Sequence, residues 1–216
     1  MLMLCLSTSG PVASAALIKD GEVISIQRGG RELTHSQTIM SLAEQAMLSC
    51  GHSPADMDAF AVDAGPGSFT GVRIGVCAVN AMAAAFDKPV VQVSSLEGLL
   101  YGLENACALI DCRNGNGYAM VVSHEVTLPP SAVVISELLA ELPEDILIVG
   151  DGAELHHGAI AAALPSARYA EDNQVDAAKC GLAAWDKLLA DDTLKEAMPL
   201  YLRPSQAERM AKEKKK

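Results

Sequence analysis

The sequence has few aromatic residues and no apolar run long enough to cross a bilayer. Only 4% of its 216 residues are aromatic whereas 50% are hydrophobic, which predicts a folded core of aliphatic side chains and excludes intrinsic disorder. The longest apolar stretch, residues 71–86, contains Arg73 and Asn80 and is shorter than the roughly 20 residues of a membrane span. The apolar start, Met1 to Leu6, has no basic segment before it, so we interpret it as a strand of the mature protein. We therefore expect no membrane segment and a cytoplasmic location.

The sequence also lacks the patterns of a disulfide framework or a metal site. None of the six cysteines forms a CxxC pair, and no histidine stands at the spacing of zinc ligands. His156 and His157 are adjacent, so on a helix their rings would point to different sides. We expect free thiols and no bound metal.

Basic residues are scarce outside the last five positions. The net charge is -11, and four of the 16 basic residues are Lys212 and Lys214 to Lys216. Residues 1–211 contain 12 basic and 26 acidic residues and have a net charge of -14. Contact with nucleic acid needs clustered Lys and Arg, so this acidic body is expected to meet RNA only indirectly. We interpret the lysine tail as a solubilising end.

The order of the predicted elements is typical of an α/β protein with two lobes. Three strands come first, and Asp20-Gly21 predicts the turn between the second and the third. A helix, a strand, a helix and a strand follow at residues 34–50, 60–64, 71–86 and 90–93. A weaker version of this order starts at residue 106, with a hairpin, a short helix at residues 136–141, a strand and two helices at residues 152–164 and 175–190.

This order is the ground plan of the ribonuclease-H-like half of the actin, sugar-kinase and Hsp70 superfamily. We predict a two-lobe actin-like fold in which each lobe is a mixed sheet with helices. Residues 1–103 would form the N-terminal ribonuclease-H-like lobe. Residues 104–216 would form a smaller C-terminal lobe with a basic tail.

A glycine-rich loop joins the strand at residues 60–64 to the next helix. Gly65 and Gly67 allow backbone angles closed to other residues, and Ser68 or Thr70 can cap the helix and present its amides to an anion. No lysine follows the glycines, so the loop is not a Walker A motif. It is either a phosphate or carboxylate cradle or a tight turn in which Gly71 and Gly75 allow close packing.

Residues 65–75, Gly-Pro-Gly-Ser-Phe-Thr-Gly-Val-Arg-Ile-Gly, resemble the central motif of the TsaB (YeaZ) family. An alanine-rich helix and Lys88-Pro-Val-Val-Gln-Val-Ser-Ser-Leu-Glu97 continue the likeness, and weaker matches extend it over essentially the whole chain. The resemblance implies a partner protein in the threonylcarbamoyl modification of adenosine in tRNA. It also implies an actin-like fold that has lost its chemistry.

Two positions depart from the catalytic members of the superfamily. The related enzyme TsaD binds a metal through two histidines four residues apart on its first helix, whereas this chain has His35 followed by Ile39. The first strand of the superfamily commonly ends in an aspartate, and Ser7 stands there in this chain. We therefore expect no catalytic residue and no cofactor bound by this chain alone, with ATP or ADP entering at the level of the complex.

The resemblance also implies the partners and the residues that meet them. We expect a non-catalytic scaffold that pairs with TsaD and works with the ATPase TsaE, and that forms a homodimer in isolation. The predicted interface lies on the first two helices and comprises Ile39, Met40, Ala43, Met47, Ile74, Ala78 and Met82. A possible anion or nucleotide cleft would comprise Gly65, Gly67, Ser68, Thr70, Arg73, Asp111 and Gly152.

Two alternatives stay open from the sequence. One is a stand-alone ATPase or small-molecule kinase that uses the loop from Gly65 to Gly71. The other is a homodimeric binding module for an anionic metabolite. A serine hydrolase is disfavoured because Ser68 lies outside a Gly-x-Ser-x-Gly motif.

Overall fold

The computed structural model describes residues 1–30, 32 and 34–203; the lysine tail lies outside this range. The described chain forms two five-stranded sheets with helices on them. The strands are β1 (Leu2–Ser7), β2 (Ser14–Lys19), β3 (Glu22–Arg28), β4 (Ala59–Asp63), β5 (Val90–Val93), β6 (Ala106–Asp111), β7 (Asn116–Ser123), β8 (Glu125–Val134), β9 (Leu147–Val149) and β10 (Arg168–Tyr169). The helices are α1 (His35–Leu48), α2 (Phe69–Phe86), α3 (Ser95–Leu100), α4 (Ile135–Glu141), α5 (Asp151–Leu155), α6 (His157–Ala163) and α7 (Ala177–Leu189), and a 3₁₀ turn spans Pro54–Asp56.

The two sheets have the same strand order. The first sheet runs β3-β2-β1-β4-β5, and the second runs β8-β7-β6-β9-β10 when read in the matching direction. In each sheet the first three strands are antiparallel neighbours, and the remaining two are parallel to the central strand. The predicted two-lobe fold, in which each lobe is a mixed sheet with helices, is therefore confirmed.

The first sheet is covered on both faces. Alternate residues of β1 point to opposite sides, so Leu4 packs with α1 and α2 while Cys5 packs with α7. Because residues on both faces of β1 are buried, its sequence is a continuous apolar run and does not alternate between apolar and polar residues.

Helix α7 follows the second sheet in the sequence but packs on β1, β2, β4 and β5 of the first. The boundary between the two lobes, placed by the sequence between residues 103 and 104, remains a prediction. Packing nevertheless places residues 177–189 with the first sheet rather than with the second.

Several elements differ from the sequence predictions, and among them the two-residue strand β10 was not predicted. Strand β8 was not predicted because Pro129-Pro130 interrupts its pattern; an edge strand tolerates proline because its outward amides need no partner. The short helix α3 was not predicted either. The single helix predicted at residues 152–164 is two helices, because the backbone of His156 leaves the helical conformation.

Helix α2 begins at Phe69, two residues earlier than predicted, and its 18 residues make it long and apolar enough, by length and composition, to cross a membrane. Its buried residues, among them Val72, Val76 and Val79, contact the core on the first sheet. A core helix of a folded domain passes the same test, so the length alone is weak evidence for a membrane span.

Candidate functional site

A cleft of about 1020 Å³ lies between the two sheets. Its lining comes from the turn after β1, the loop before α2, the turn after β6, the start of α5, residues 173–175 and the C-terminal residues 200–203. The first-sheet side includes Ser9, His35 and Ser68, and the second-sheet side includes Asp111 and Asp151. Carboxyl ends of parallel strands open into this space, which is where α/β sheets commonly bind ligands.

Beneath the first-sheet side, Asp63 at the end of β4 forms a buried hydrogen-bond hub. Its Oδ2 accepts hydrogen bonds from the hydroxyls of Ser7 (2.7 Å) and Ser9. Its Oδ1 accepts from the hydroxyl of Ser95 (2.6 Å) and the amide of Gly65 (3.0 Å). Four donors occupy the lone pairs of the two oxygens, so the carboxylate as arranged has none left for a metal ion.

The glycine-rich loop fits tightly around the end of β1. A Cβ atom on Gly71 would lie 2.0 Å from the carbonyl oxygen of Thr8, and one on Gly75 would lie 2.4 Å from the Thr8 hydroxyl. A Cβ on Gly67 would likewise lie too close to the backbone of Ser9. Gly65 is needed for a different reason, since its φ is +93°. The loop therefore has the close packing expected of a tight turn.

The start of α2 is capped from within. The Ser68 hydroxyl accepts a hydrogen bond of 3.2 Å from the amide of Gly71, as the sequence predicted for a cap, and the amide of Ser68 donates to the carbonyl of Ser9. No hydrogen bond to the side chain of Thr70, which is exposed, is present within the described range. The loop thus uses part of its hydrogen-bonding capacity internally.

His35 is the first residue of α1, and its Nε2 lies 2.9 Å from the carbonyl oxygen of Gly10. A backbone contact thus engages the ring of this helix-start histidine. Ile39, one turn later, is buried in the core. Within the described residues, no group of three or more His, Cys, Asp or Glu side chains is placed to hold a metal ion.

On the second-sheet side, three ionisable side chains meet at the ends of β6 and β9. Oδ1 of Asp111 lies 2.8 Å from Nε2 of His156, and the amide of Asp111 donates a 2.9 Å hydrogen bond to Oδ1 of Asp151. Asp151 reaches solvent at the cleft wall, but the protein atoms around it exclude enough water to raise its pKa, and the nearby negative charge of Asp111 adds to this rise.

Residues 194–203, here called the C-terminal strap, connect both sides of the cleft. Leu194 exchanges backbone hydrogen bonds with Val90, and Ala197 exchanges two with the side-chain amide of Asn80. At its far end, Nη1 of Arg203 lies 3.0 Å from Sγ of Cys112 on the second sheet. The strap therefore ties the first sheet and α2 to the second sheet.

The strap also places an aromatic ring against the start of α2. Tyr201 stacks on Phe69 with a centroid distance of 4.7 Å and an interplanar angle of 19°, and the guanidinium of Arg73 lies 5.5 Å from the centroid of Phe69. Both rings are partly exposed at the mouth of the cleft.

The predicted cleft residues separate into two groups. Gly67, Ser68 and Asp111 line the cleft. The remaining four, Gly65, Thr70, Arg73 and Gly152, lie outside its lining. Gly152 packs under Leu109, where an added Cβ would lie 2.6 Å from Leu109 Cγ, and the guanidinium of Arg73 lies over the Phe69 ring.

Sequence reasoning missed several cleft residues: Glu154, Asn173 and the strap residues Tyr201 and Arg203. Asp151, in the turn from Gly150 to Gly152 that the sequence offers as a second wall of the cleft, does line it. It follows β9 as Asp111 ends β6, and these neighbouring strands are parallel. The strap has no helical or strand periodicity to mark it.

The predicted interface residues also separate. The four side chains Ile39, Ala43, Met47 and Met82 are buried in the core on the first sheet, so they cannot form an outer surface as predicted. Met40 is 51% exposed, and Ile74 and Ala78 are partly exposed. The error has a simple physical cause: the most apolar stripe of each helix faces its own sheet.

Comparison with known proteins gives a consistent pattern. Residues 31–208 match the family model of TsaD, tRNA N6-adenosine threonylcarbamoyltransferase. The tRNA threonylcarbamoyladenosine biosynthesis protein TsaB of Bacillus subtilis (strain 168) is 30% identical over 168 residues, which are 72% of this chain and 73% of that protein.

Solved structures agree with the sequence comparison. YeaZ from Pseudomonas aeruginosa superposes with a TM-score of 0.76 at 26% identity, covering 93% of this chain and 99% of that chain. The ROK hexokinase of Thermus thermophilus superposes with a TM-score of 0.53 at 13% identity, over 88% of this chain and 100% of that chain. At such low identity the second likeness concerns the fold alone, and it agrees with the predicted sugar-kinase architecture.

Proposed function

The chain belongs to the TsaB family of tRNA threonylcarbamoyladenosine biosynthesis proteins, and we propose that it acts there, in the cytoplasm, as a non-catalytic subunit that pairs with TsaD. In this proposal the ATPase TsaE joins the pair, and the chain forms a homodimer when TsaD is absent. Its acidic body supports a role in which the partners make the contacts with tRNA.

The main support for the proposal is that the outward face of α1 and α2 exposes apolar and small side chains. We define the docking face as Met40, Leu48, Ile74, Cys77, Ala78 and Ala81. Met40 and Leu48 are 51% and 64% exposed, a large fraction for apolar side chains in a folded chain. The small side chains of α2 allow another helix to approach closely, and methionine adapts to an irregular partner surface.

The state of the cleft supports a non-catalytic role. The four hydrogen bonds of Asp63 leave that carboxylate without a free lone pair, and Ser7 provides a neutral hydroxyl in place of a metal-binding carboxylate. In-line phosphoryl transfer depends on metal ions that neutralise the phosphates. We therefore propose that ATP or ADP is used by the assembled complex and that no cofactor is bound by this chain alone.

One observation favours the alternative of a stand-alone ATPase or small-molecule kinase. The cleft is large enough for a nucleotide, and Gly67, Ser68 and Asp111 line it. Asp111 is already engaged by His156 and by the amide of Arg113, which weakens this alternative without removing it.

Binding to TsaD tests the docking face directly. The variant Ala81→Arg places a charged side chain on an exposed position of the face, and Ala162→Arg makes the same change on the exposed side of α6. We expect Ala81→Arg to lose TsaD binding in titration calorimetry while Ala162→Arg binds like the unmodified chain. Equal binding by both variants would place the interface elsewhere.

ATP turnover tests the catalytic assignment. We expect none from the chain alone and turnover when TsaD and TsaE are both added. Hydrolysis by the purified chain that disappears in Asp111→Asn would support the stand-alone enzyme instead.

A further inference from the structure

A second groove lies on the second sheet, between β8 and α4, and has a volume of about 350 Å³. We call it the α4 groove; it has an apolar floor of Leu128, Val133 and Leu138 and a charged rim of Glu137, Glu141 and Arg203. The floor residues belong to the core of the second sheet, so the groove reaches down to that core. Such a surface suits a segment that brings an apolar side chain of its own.

The two glutamates of the rim have no cation beside them. Glu137 and Glu141 stand one helical turn apart on α4, where like charges disfavour the helix, and both are exposed. Neither forms an ion pair with another of the described residues. Arg203 does not neutralise them, because its Nη1 lies 3.0 Å from the thiol sulfur of Cys112 and it forms no ion pair in that range either. The rim therefore offers two carboxylates to a cation from elsewhere.

The chain brings basic residues to this place. Residues 204–216 follow Arg203 directly, and they contain five basic and two acidic residues. Their one large apolar side chain is Met210, seven positions after Arg203. Seven residues span roughly 10 Å as a helix and roughly 23 Å when extended, and α4 itself, with 7 residues, is about 10 Å long. The whole length of the groove is therefore within reach of Met210.

The order of residues in this segment suits the groove. Ala207, Met210 and Ala211 have the i, i+3, i+4 spacing of one side of a helical turn. Arg209 and Lys212 would then lie together on the adjoining side. Methionine adapts to an irregular apolar surface such as the floor of the groove. One orientation would thus place the methionine on the floor and both cations at the rim.

We propose that residues 204–216 dock in the α4 groove of their own chain. Met210 lies on the apolar floor, and Arg209 and Lys212 pair with the two glutamates of the rim. Arg203 lines both this groove and the cleft between the sheets, so docking holds the end of the C-terminal strap at the cleft wall. The inference goes beyond the proposed function, because the groove shares no residue with the docking face on α1 and α2.

A photocrosslinker in place of Met210 tests where the segment lies. The full chain with p-benzoylphenylalanine at this position is irradiated, and the joined peptides are identified by mass spectrometry. We expect links to peptides from residues 128–141 in a product of monomeric mass. Links to other parts of the chain would overturn the proposal, and so would a product of twice that mass, which would show docking on a second copy. The absence of a defined link would also overturn it and would agree with a tail that only solubilises.

Charge reversal tests the pairing at the rim. The groove variant, Glu137→Lys with Glu141→Lys, and the tail variant, Arg209→Glu with Lys212→Glu, should each lower the yield of this crosslink roughly fivefold or more. Combining all four substitutions restores opposite charges, so the yield should return to within about twofold of that of the chain with its original charges. A combined variant that recovers nothing would contradict the pairing.

A matched control changes the net charge by the same amount outside the groove. Glu22→Lys with Glu104→Lys alters two exposed positions that do not line it, and the crosslink yield should be unchanged. Thermal melting verifies that each variant is folded. If the groove variant does not fold, Glu137→Gln with Glu141→Gln replaces it, and an undiminished yield from this neutral pair would contradict the pairing.

The reactivity of Cys112 tests the link between the groove and the strap. Docking holds Arg203 against this thiol, so the groove variant and the tail variant should each raise the rate at which iodoacetamide modifies Cys112, by roughly threefold or more. An unchanged rate in both variants would overturn the link. Binding to TsaD through the docking face should stay the same in both, so a failure of this inference and a failure of the proposed function are distinguishable.

Discussion

The hydroxyl of Ser7 lies 2.7 Å from Oδ2 of Asp63, and both side chains are completely buried. Ser7 ends β1 and Asp63 ends the neighbouring parallel strand β4. A charged group is costly in an interior unless hydrogen bonds compensate for lost water, and the hydroxyls around Asp63 provide that compensation. Hydroxyl and amide donors, all of them neutral, thus surround this buried carboxylate.

Replacing Ser7 with aspartate should make stability depend on a divalent cation. Ser7→Asp removes one donor from Asp63 and adds a second buried carboxylate, so without metal we expect a loss of roughly 3–5 kcal/mol in the free energy of unfolding. Magnesium or calcium should restore part of this loss. Urea unfolding in EDTA and in millimolar Mg²⁺ measures both effects.

Ser7→Ala is the matched control for that experiment. It removes the same hydrogen bond without adding charge, so we expect a smaller loss of roughly 1–3 kcal/mol that does not respond to Mg²⁺. Equal losses in both variants, with no effect of metal, would contradict the electrostatic explanation.

Gly71→Ala should destabilise the chain even though alanine is the better helix former. The added Cβ would lie 2.0 Å from the carbonyl oxygen of Thr8, so α2 or the turn after β1 must move. We expect a loss of roughly 1–3 kcal/mol by chemical denaturation. Gly158→Ala in α6 meets no atom within 4 Å and should be neutral or slightly stabilising. A neutral result for Gly71→Ala would show that the contact relaxes at no cost.

Asp151→Asn should stabilise the chain at neutral pH. Burial and the charge of Asp111 raise the pKa of Asp151 in the folded state, so its favourable contribution is complete below the unfolded pKa of about 3.9 and is lost as the pH rises through the folded pKa. Asparagine keeps the acceptor for the amide of Asp111 and removes the charge. The gain in melting temperature should be largest near pH 7 and should shrink as the pH falls towards 4.

Asp56→Asn should show the opposite sign. Hydrogen bonds from the amide and the hydroxyl of Ser53 lower the pKa of Asp56, so its contribution is present above the unfolded pKa and is lost as the pH falls through the folded pKa. The variant should therefore melt below the unmodified chain at pH 7, and the gap should close in acid. The same sign for both variants would contradict these pKa directions.

Cys77 should be the first thiol to react in the native chain. It is exposed on α2, whereas Cys5, Cys107 and Cys180 are buried. Burial raises the pKa of the Cys107 thiol to about 12 and that of Cys5 well above its usual value, so few thiolates form at these sites. Peptide mass spectrometry after brief iodoacetamide treatment should find Cys77 modified before these three.

The rate at which Cys77 is modified should fall as the protein concentration rises, because the proposed dimer covers this side chain. A rate that does not change with protein concentration would contradict a dimer formed through this face.

The sequence predicted the first sheet well because β1, β2, β4 and β5 are largely buried on both faces and therefore appear as apolar runs. The hairpin at Asp20-Gly21 and the helix after the glycine-rich loop were also predicted from local signals. Strand β8 was not predicted, because a sheet tolerates proline mainly in an edge strand and the sequence does not show which strand lies at an edge. The break between α5 and α6 at His156 was not predicted for a similar reason, since the ring of His156 contacts Asp111, which is 45 positions away in the sequence.

The candidate site was predicted in part. Ser68 and Gly67 followed from the glycine-rich motif, and both line the cleft. The interface expected from the sequence was partly misjudged, because periodicity shows that a helix has an apolar stripe but not which stripe its own sheet covers. Met47 was therefore assigned to the outside and is in the core, whereas the exposed Cys77 was not assigned.

The return of α7 to the first sheet has a consequence for folding during synthesis. One face of that sheet is covered by residues 177–189, so it stays open after β5 has left the ribosome until nearly one hundred further residues are made. At about 5–20 residues per second this takes roughly 5–20 s. During that interval Met3, Cys5 and Val91 lack their final contacts, and the nascent chain presents an apolar surface to chaperones while its second sheet is still being translated.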